Sequence, residues 1–346
     1  MARILFAAHD SGGANLLQPV AEACEAAGHE VRRIAHGPAR ALWGGRSRTV
    51  RAEMRAFGPD LAVTGTSKEA GFEQRLWRVA RNHGVGTIAA IDAWMNLRDR
   101  FVRSQDGIQP DALLVIDQGM KQEIAGAGWC RARLYVGGQP YLERQAIRLR
   151  RRRAALRPKA FGRRADRRLN SPRVVVFFSE PLAGTAAAGR VGYDQFLVAG
   201  LIADRLPLLA SACFIIQPHP KEKAGPWHDW LVDHSVPPSL EARVSDRTTE
   251  DLLVAADAVT SMASMVVIEA AVAGIPALAV QPRRNYCPNP AIDSMPEIRL
   301  VTDPVELVDA LAEALATDPP MGATERFAGS TEACLRAIET ELRTSV

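Results

Sequence analysis

The apolar positions between Asp257 and Pro282 fall into an order that predicts a strand, a helix and a second strand. Ala258 to Thr260 is a short apolar run, Ser261 to Ser264 a polar turn, and Met265 to Ala273 a helical stretch stopped by Gly274 and Pro276. Ala277 to Val280 is apolar again, so the segment reads as one strand-helix-strand unit of a parallel sheet. Glu269 is the only ionisable side chain from Ala258 to Pro282, and a carboxylate in so apolar a run is costly unless it meets solvent or a partner. It is therefore expected to line a cleft. Parallel sheets bind ligands beyond the carboxyl ends of their strands, where helix N-termini offer free N–H groups to phosphate. Ser261 and Ser264 stand at that place, with N-capping of the helix as the alternative role.

The same alternation runs through the rest of the chain. Arg3 to Ala8 predicts a strand, His9 to Asn15 a polar loop, Leu16 to about Ala27 a helix closed by Gly28, and Val31 to Ala35 the next strand. Gly12 and Gly13 let the backbone approach a ligand closely, although the spacing is not the G-x-G-x-x-G of dinucleotide sites. A second strand and small polar loop, Pro59 to Ser67, precedes a helix holding Glu69 and Glu73; Thr87 to Ile91 and Ala112 to Ile116 are further strands. Asp92, Trp94 and Asn96 sit in a charged and aromatic stretch just past a strand, where α/β proteins keep their chemistry. A hydrophobic plug and a turn cap are the structural alternatives there.

In the second half, Arg173 to Ser179 and Cys213 to Gln217 predict strands, and Tyr193 to Leu209 a helix. The strand ending at Gln217 delivers Pro218-His219-Pro220, and a histidine between two prolines has a restricted backbone. It suits a fixed imidazole presented to phosphate, or else a structural turn. Thr248 to Asp251 caps a helix that runs through Ala256, Arg283 and Arg284 follow the strand Ala277 to Val280, and Val305 to Ala316 and Arg326 to Arg343 predict two final helices.

The 346 residues, 47% hydrophobic and 24% charged, suffice for two domains without covalent staples. Five scattered cysteines form neither a disulfide framework nor a metal-ligand motif, which fits a reducing cytoplasm. No run approaches the roughly 18 apolar residues of a membrane helix, leaving peripheral membrane contact as an option. Residues 144–168 hold eleven arginines and one lysine against a single acid, Asp166. The overall formal charge is only +4, and the run lacks interleaved aromatics. It therefore reads as a solvated helix and linker, with a nucleic-acid-binding arm as the less favoured alternative.

The serine-rich turn, the helical Glu269 and the Gly-Ile-Pro exit resemble the donor-nucleotide site of the two-domain GT-B glycosyltransferases. Val136-Gly-Gly-Gln-Pro140 resembles the segment that closes their N-terminal domain, and Glu180 to Gly189, with Gly184, the small-residue loop that faces the donor. Pro218-His219-Pro220 with Ser261 and Ser264 resembles the histidine-proline and serine motifs of bacterial sialyltransferases and of CDP-glycerol-type polymer transferases; the sialyltransferases' acidic pair before glycine has no match. The resemblance implies an α/β protein of two Rossmann-like domains facing across a cleft. It divides into residues 1–143 on the acceptor side, an Arg-rich linker 144–171, a donor-binding domain 172–316, and a C-terminal helix 317–346 returning to the first domain.

The implied activity is transfer of a sugar from a nucleotide-activated donor to a hydroxyl acceptor, of the kind used in surface polysaccharide or glycoconjugate synthesis. Gly184, His219, Ser261, Ser264, Glu269 and Arg283 are the expected donor residues, with Glu269 on the ribose. Asp92 is the first candidate for the base that deprotonates the acceptor, followed by Asp10 and His9; His9, Gly12, Gly13, Trp94 and Asn96 are expected on the acceptor side. No metal-ligand pattern, nucleophile elbow or Walker motif is present, so no cofactor is expected. Two other classes stay open: a non-hydrolysing nucleotide-sugar 2-epimerase, which needs several N-domain acids and a catalytic histidine arrangement, or a CDP-glycerol-type phosphotransferase; and a polyanion-binding module built on the basic segment.

Overall fold

The computed structural model describes residues 1–44, 49–67, 71–102, 107–161, 172–209, 212–234, 236–237, 239–316 and 323–344. Glu69 and the basic positions from 162 to 171 lie outside them. The chain divides into two compact units, Met1–Arg144 with Phe327–Val346, and Gln145–Arg326.

The first unit is built on a six-stranded parallel sheet: β1 (Arg3–Ala8), β2 (Glu30–Ala35), β3 (Leu61–Thr64), β4 (Gly86–Ala90), β5 (Ala112–Val115) and β6 (Arg133–Val136), in the order β2-β1-β3-β4-β5-β6. Helices α1 (Ser11–Ala26) and α2 (Phe72–Asn82) join strands, and the C-terminal α8 (Ser330–Thr344) packs on α1. Ile4, Phe6, Leu17, Val20 and Val63 form its core with Ile338 of α8. Because β1, β3, β4 and β5 are almost wholly buried, they appear in the sequence as mainly apolar runs, whereas the edge strand β2 carries Glu30, Arg32 and Arg33.

The second unit repeats the architecture with β7 (Arg173–Phe178), β8 (Ala212–Gln217), β9 (Glu241–Val244), β10 (Ala258–Ser261), β11 (Ala277–Val280) and β12 (Ile298–Val301), ordered β12-β11-β10-β7-β8-β9 and again parallel. Its helices include α3 (Pro140–Phe161), within which the division between units falls, α4 (Gln195–Arg205), α5 (Thr249–Ala255), α6 (Met265–Val272) and α7 (Leu307–Ala316). Val175, Phe177, Phe214, Ile216, Trp227 and Leu278 centre the core.

Several local expectations are corrected. The polar stretch after β1 is not a loop: α1 begins at Ser11, with Gly12 and Gly13 in its first turn and Asp10 at its N-cap. Glycine is tolerated in this turn because the backbone packs too closely for a side chain. A Cβ on Gly13 would lie 3.2 Å from the Gly65 Cα, and one on Gly12 would overlap Asp92 Oδ2. The small-residue stretch after Glu180 contains a short helix, Ala186–Val191. Within the second unit the basic run is not simply solvated. Arg153 is buried, and its Nη1 donates to the carbonyls of Leu253, Val254 and Ala256 at 2.7, 3.2 and 2.9 Å, closing the C-terminal end of α5. Arg148 and Arg152 pair with Glu250, and Arg152 also with Asp251, at the start of the same helix.

Candidate functional site

Each sheet has one point where the strand order reverses, and there the loops diverge to leave a crevice. In the second unit it lies between β10 and β7, with β8 next in order. The turn Ser261 to Ser264, the Ser179-Glu180 loop and the Pro218-His219 loop therefore share one edge.

The turn is held from two sides. Gln281 donates to the Met262 carbonyl at 2.8 Å, and Asn289 to the Ala263 carbonyl at 3.1 Å; both side chains are buried. The opposite face carries peptide N–H groups, and these meet a carboxylate. Glu180 Oε1 accepts the Ala263 N–H at 2.5 Å and the Ser261 hydroxyl at 3.2 Å, and the N–H groups of Met262 and Ser264 also act on it. The carboxylate is enclosed by the turn. That burial pushes its pKa above the usual carboxylate range, against the hydrogen bonds, which pull it down. Ser264 also caps α6, its hydroxyl accepting the Val266 N–H at 3.2 Å.

His219 is half-buried, and its ring is oriented by its own loop: Nδ1 accepts the Lys221 backbone N–H at 3.1 Å. A backbone amide can only donate, so the neutral ring carries its proton on Nε2. Burial is the main cause that lowers the His219 pKa, which keeps that neutral form. Glu222 fixes the loop by accepting the His219 N–H at 2.7 Å, and Gln195 donates to the other Glu222 oxygen at 3.2 Å. Gln195 Oε1 in turn accepts the N–H groups of Leu182 and Ala183 at 3.0 and 2.8 Å, so one chain of hydrogen bonds joins the histidine loop to the Glu180 loop.

The other expected donor residues are spread more widely. Gly184 is exposed with a positive φ of 72°. Arg283 lies past β11 and lines an open groove of about 700 Å³ with Thr302, Asp303 and Val305, while Arg284 is tied to Asp293 at 2.7 Å. Glu269 is only 7% exposed, with the Gln145 amide 3.5 Å from its Oε2. No local sequence pattern marks Glu180, Gln195, Glu222, Gln281 or Asn289 as site residues. Their roles arise from contacts across distant loops, except that Asn289 precedes Pro290 as the N-cap of the helix Pro290–Ser294.

In the first unit the reversal lies between β1 and β3. His9 Nδ1 and Asp10 Oδ1 are 2.6 Å apart, and the His9 N–H donates to Glu73 Oε1 at 3.1 Å. Glu73 is buried and also accepts the Ser67 hydroxyl at 2.5 Å; burial raises its pKa. Past β4, Asp92 Oδ1 accepts Arg100 Nη1 at 2.5 Å, and Arg100 also reaches the Thr66 carbonyl and hydroxyl at 3.0 Å each. Trp94 Nε1 donates to Asp117 Oδ2 at 2.6 Å, and its ring stands 6.1 Å from that of Phe327. Asn96 is exposed with a positive φ of 56°. Three acids, Asp10, Asp92 and Asp117, thus follow β1, β4 and β5 on one sheet edge. No described helix is long and apolar enough to cross a membrane.

No protein-family model matches the sequence, and a search of curated proteins finds no match. Solved structures do match. The UDP-GlcNAc 2-epimerase of Methanocaldococcus jannaschii aligns with a TM-score of 0.70 over 99% of both chains at 11% identity. The UDP-GlcNAc 2-epimerase of Neisseria meningitidis bound to UDP-GlcNAc aligns at 0.67, over 99% of this chain and 100% of that one, at 9% identity. A glycosyltransferase from Rickettsia africae aligns at 0.64, over 99% and 98%, at 11% identity. This likeness shows the fold: two Rossmann-like α/β domains of the GT-B type.

Proposed function

We propose that the second unit binds the nucleotide of an activated sugar and that the protein is a glycosyltransferase acting on a hydroxyl acceptor. The observation that carries the reading is the turn after β10, where N–H groups from Met262 to Ser264 converge on a carboxyl group at the reversal point of the sheet. A preorganised set of donors that accepts a carboxylate suits a phosphate oxygen equally. His219, in the loop after β8, one strand beyond β7, adds an Nε2–H donor that would stabilise charge on the departing nucleotide phosphate. Glu269 is assigned to the ribose hydroxyls and Arg283 to the outer phosphate region, as the GT-B likeness suggests.

In the transfer, the acceptor oxygen forms a bond to the anomeric carbon as the bond from that carbon to the phosphate oxygen breaks. The electron pair leaves with the nucleotide, and the acceptor proton passes to a base. Among the first-unit candidates the His9–Asp10 pair suits this step better than Asp92. One Asp92 oxygen is engaged by the Arg100 guanidinium, and the other packs beside Gly12. His9 gives its Nδ1–H to Asp10, so the proton would go to Nε2, which packs beside Gly37, while Asp10 steadies the imidazolium.

The three acids on the first unit's sheet edge favour a second reading, a nucleotide-sugar 2-epimerase. Calorimetric titration with UDP, the nucleotide present in several matched structures, tests the common part of both readings. Incubating UDP-GlcNAc without acceptor then separates them. Conversion to the 2-epimer supports the epimerase, and turnover that appears only with a hydroxyl acceptor supports the transferase.

A further inference from the structure

The donors at the start of α6 do not face open space, because the chain's own Glu180 fills them. Their arrangement has supports besides that side chain: Gln281 and Asn289 fix the turn's carbonyls from the other side, and Ser264 caps the helix through its hydroxyl. Glu180 therefore occupies a cradle that other groups build.

A second feature points to a ligand richer in acceptors than a carboxylate. Tyr193 is buried, and its hydroxyl has no hydrogen-bond partner among the described residues. Burial, and after it the Glu180 carboxyl, push the phenol pKa upward, and Arg284 acts on it in the opposite direction. A buried hydroxyl without a partner is costly, and a phosphate oxygen would satisfy it. The loop carrying Glu180 is anchored two residues further on, where Gln195 accepts the Leu182 and Ala183 N–H groups, so the carboxylate hangs from a fixed hinge.

We propose that Glu180 is an exchangeable internal occupant of the phosphate cradle: an incoming nucleotide phosphate displaces its carboxylate from the N–H groups of Met262 to Ser264 and takes the Tyr193 hydroxyl as an added donor. The inference rests on the nucleotide site proposed above and assigns it a built-in competitor. Apparent affinity then equals the intrinsic affinity reduced by the fraction of molecules whose cradle is open.

The test titrates UDP, and uridine as a phosphate-free control, into the parent protein and the variants Glu180→Gln and Glu180→Ala. Circular dichroism and melting establish that each is folded. UDP should bind both variants at least about tenfold more tightly than the parent, whereas uridine should differ by less than about twofold. Glu180→Gln keeps the shape of the side chain and carries the comparison by itself where Glu180→Ala does not fold. Equal or weaker UDP binding to a folded variant overturns the proposal and makes Glu180 a fixed strut of the turn. UDP binding to none of the three proteins removes the nucleotide site itself, and the competitor with it.

Discussion

The Nδ1 of His219 accepts the backbone N–H of Lys221 at 3.1 Å, which leaves the Nε2–H as the ring's outward donor. In the transferase reading that donor meets charge that grows on the leaving phosphate. A contact that strengthens toward the transition state lowers kcat when removed more than it raises KM. His219→Ala should therefore reduce kcat about 100-fold with nucleotide affinity changed by less than about fivefold, matching the loss of one positioned donor. Steady-state kinetics with a separate measurement of UDP binding checks the split. Equal losses in both would show that His219 only binds.

Gly12 and Asp92 make a second testable pair. A Cβ at position 12 would overlap Asp92 Oδ2, while Oδ1 is held by Arg100. Gly12→Ala should swing the carboxylate off Arg100 and cost about 1–3 kcal/mol. The same change in an Asp92→Ala background should cost less than about 0.5 kcal/mol, because the colliding group is gone. Denaturant titration of the four proteins of the cycle measures the coupling.

The parts legible in sequence were those whose cause is local. The turn after β10 was readable because an apolar strand, a serine cap and a Gly-Ile-Pro stop follow one another within the segment, and His219 because two prolines flank it. Edge strands β9 and β12 carry exposed charged residues and interrupt the apolar pattern. The glycines after β1 read as a loop since nothing nearby reveals that Asp92, eighty positions on, packs against Gly12, or that Gly65 packs against Gly13. Glu180 was unreadable for the same reason, its partners lying more than eighty residues away.

Arg153 shows how composition misleads. It belongs to a run of four arginines, yet it alone of the four is buried, on three carbonyls at the end of α5. Arg153→Met keeps much of the apolar stem and leaves those carbonyls without their donor, so it should destabilise by about 1–3 kcal/mol. The exposed neighbour Arg151→Gln should stay within about 0.5 kcal/mol of the parent. Denaturation midpoints for the two variants check this. Equal midpoints would return the whole segment to the status of a solvated face.

The first unit holds its C-terminal helix through Glu341, which is buried on α8 and accepts Arg133 Nε at 2.8 Å, Arg133 Nη2, and the Tyr135 hydroxyl at 2.7 Å. Burial pushes its pKa up, but the Arg133 and Tyr135 hydrogen bonds outweigh it and leave the carboxyl below its ordinary value. In the unfolded chain the group titrates near about 4.3. A carboxyl depressed in the folded state binds protons less readily there than in the unfolded chain. Its stabilising contribution is thus fully present above the unfolded value and is lost as the pH falls through the lower, folded one. Glu341→Gln should therefore cost about 1–3 kcal/mol at neutral pH, where the charged hydrogen bonds are intact. Below the folded pKa the parent is protonated as well, and the gap between the two proteins should close. Melting temperatures of both across an acid series test this, and a gap that stays constant to the acid limit would show that Glu341 acts through packing instead of charge.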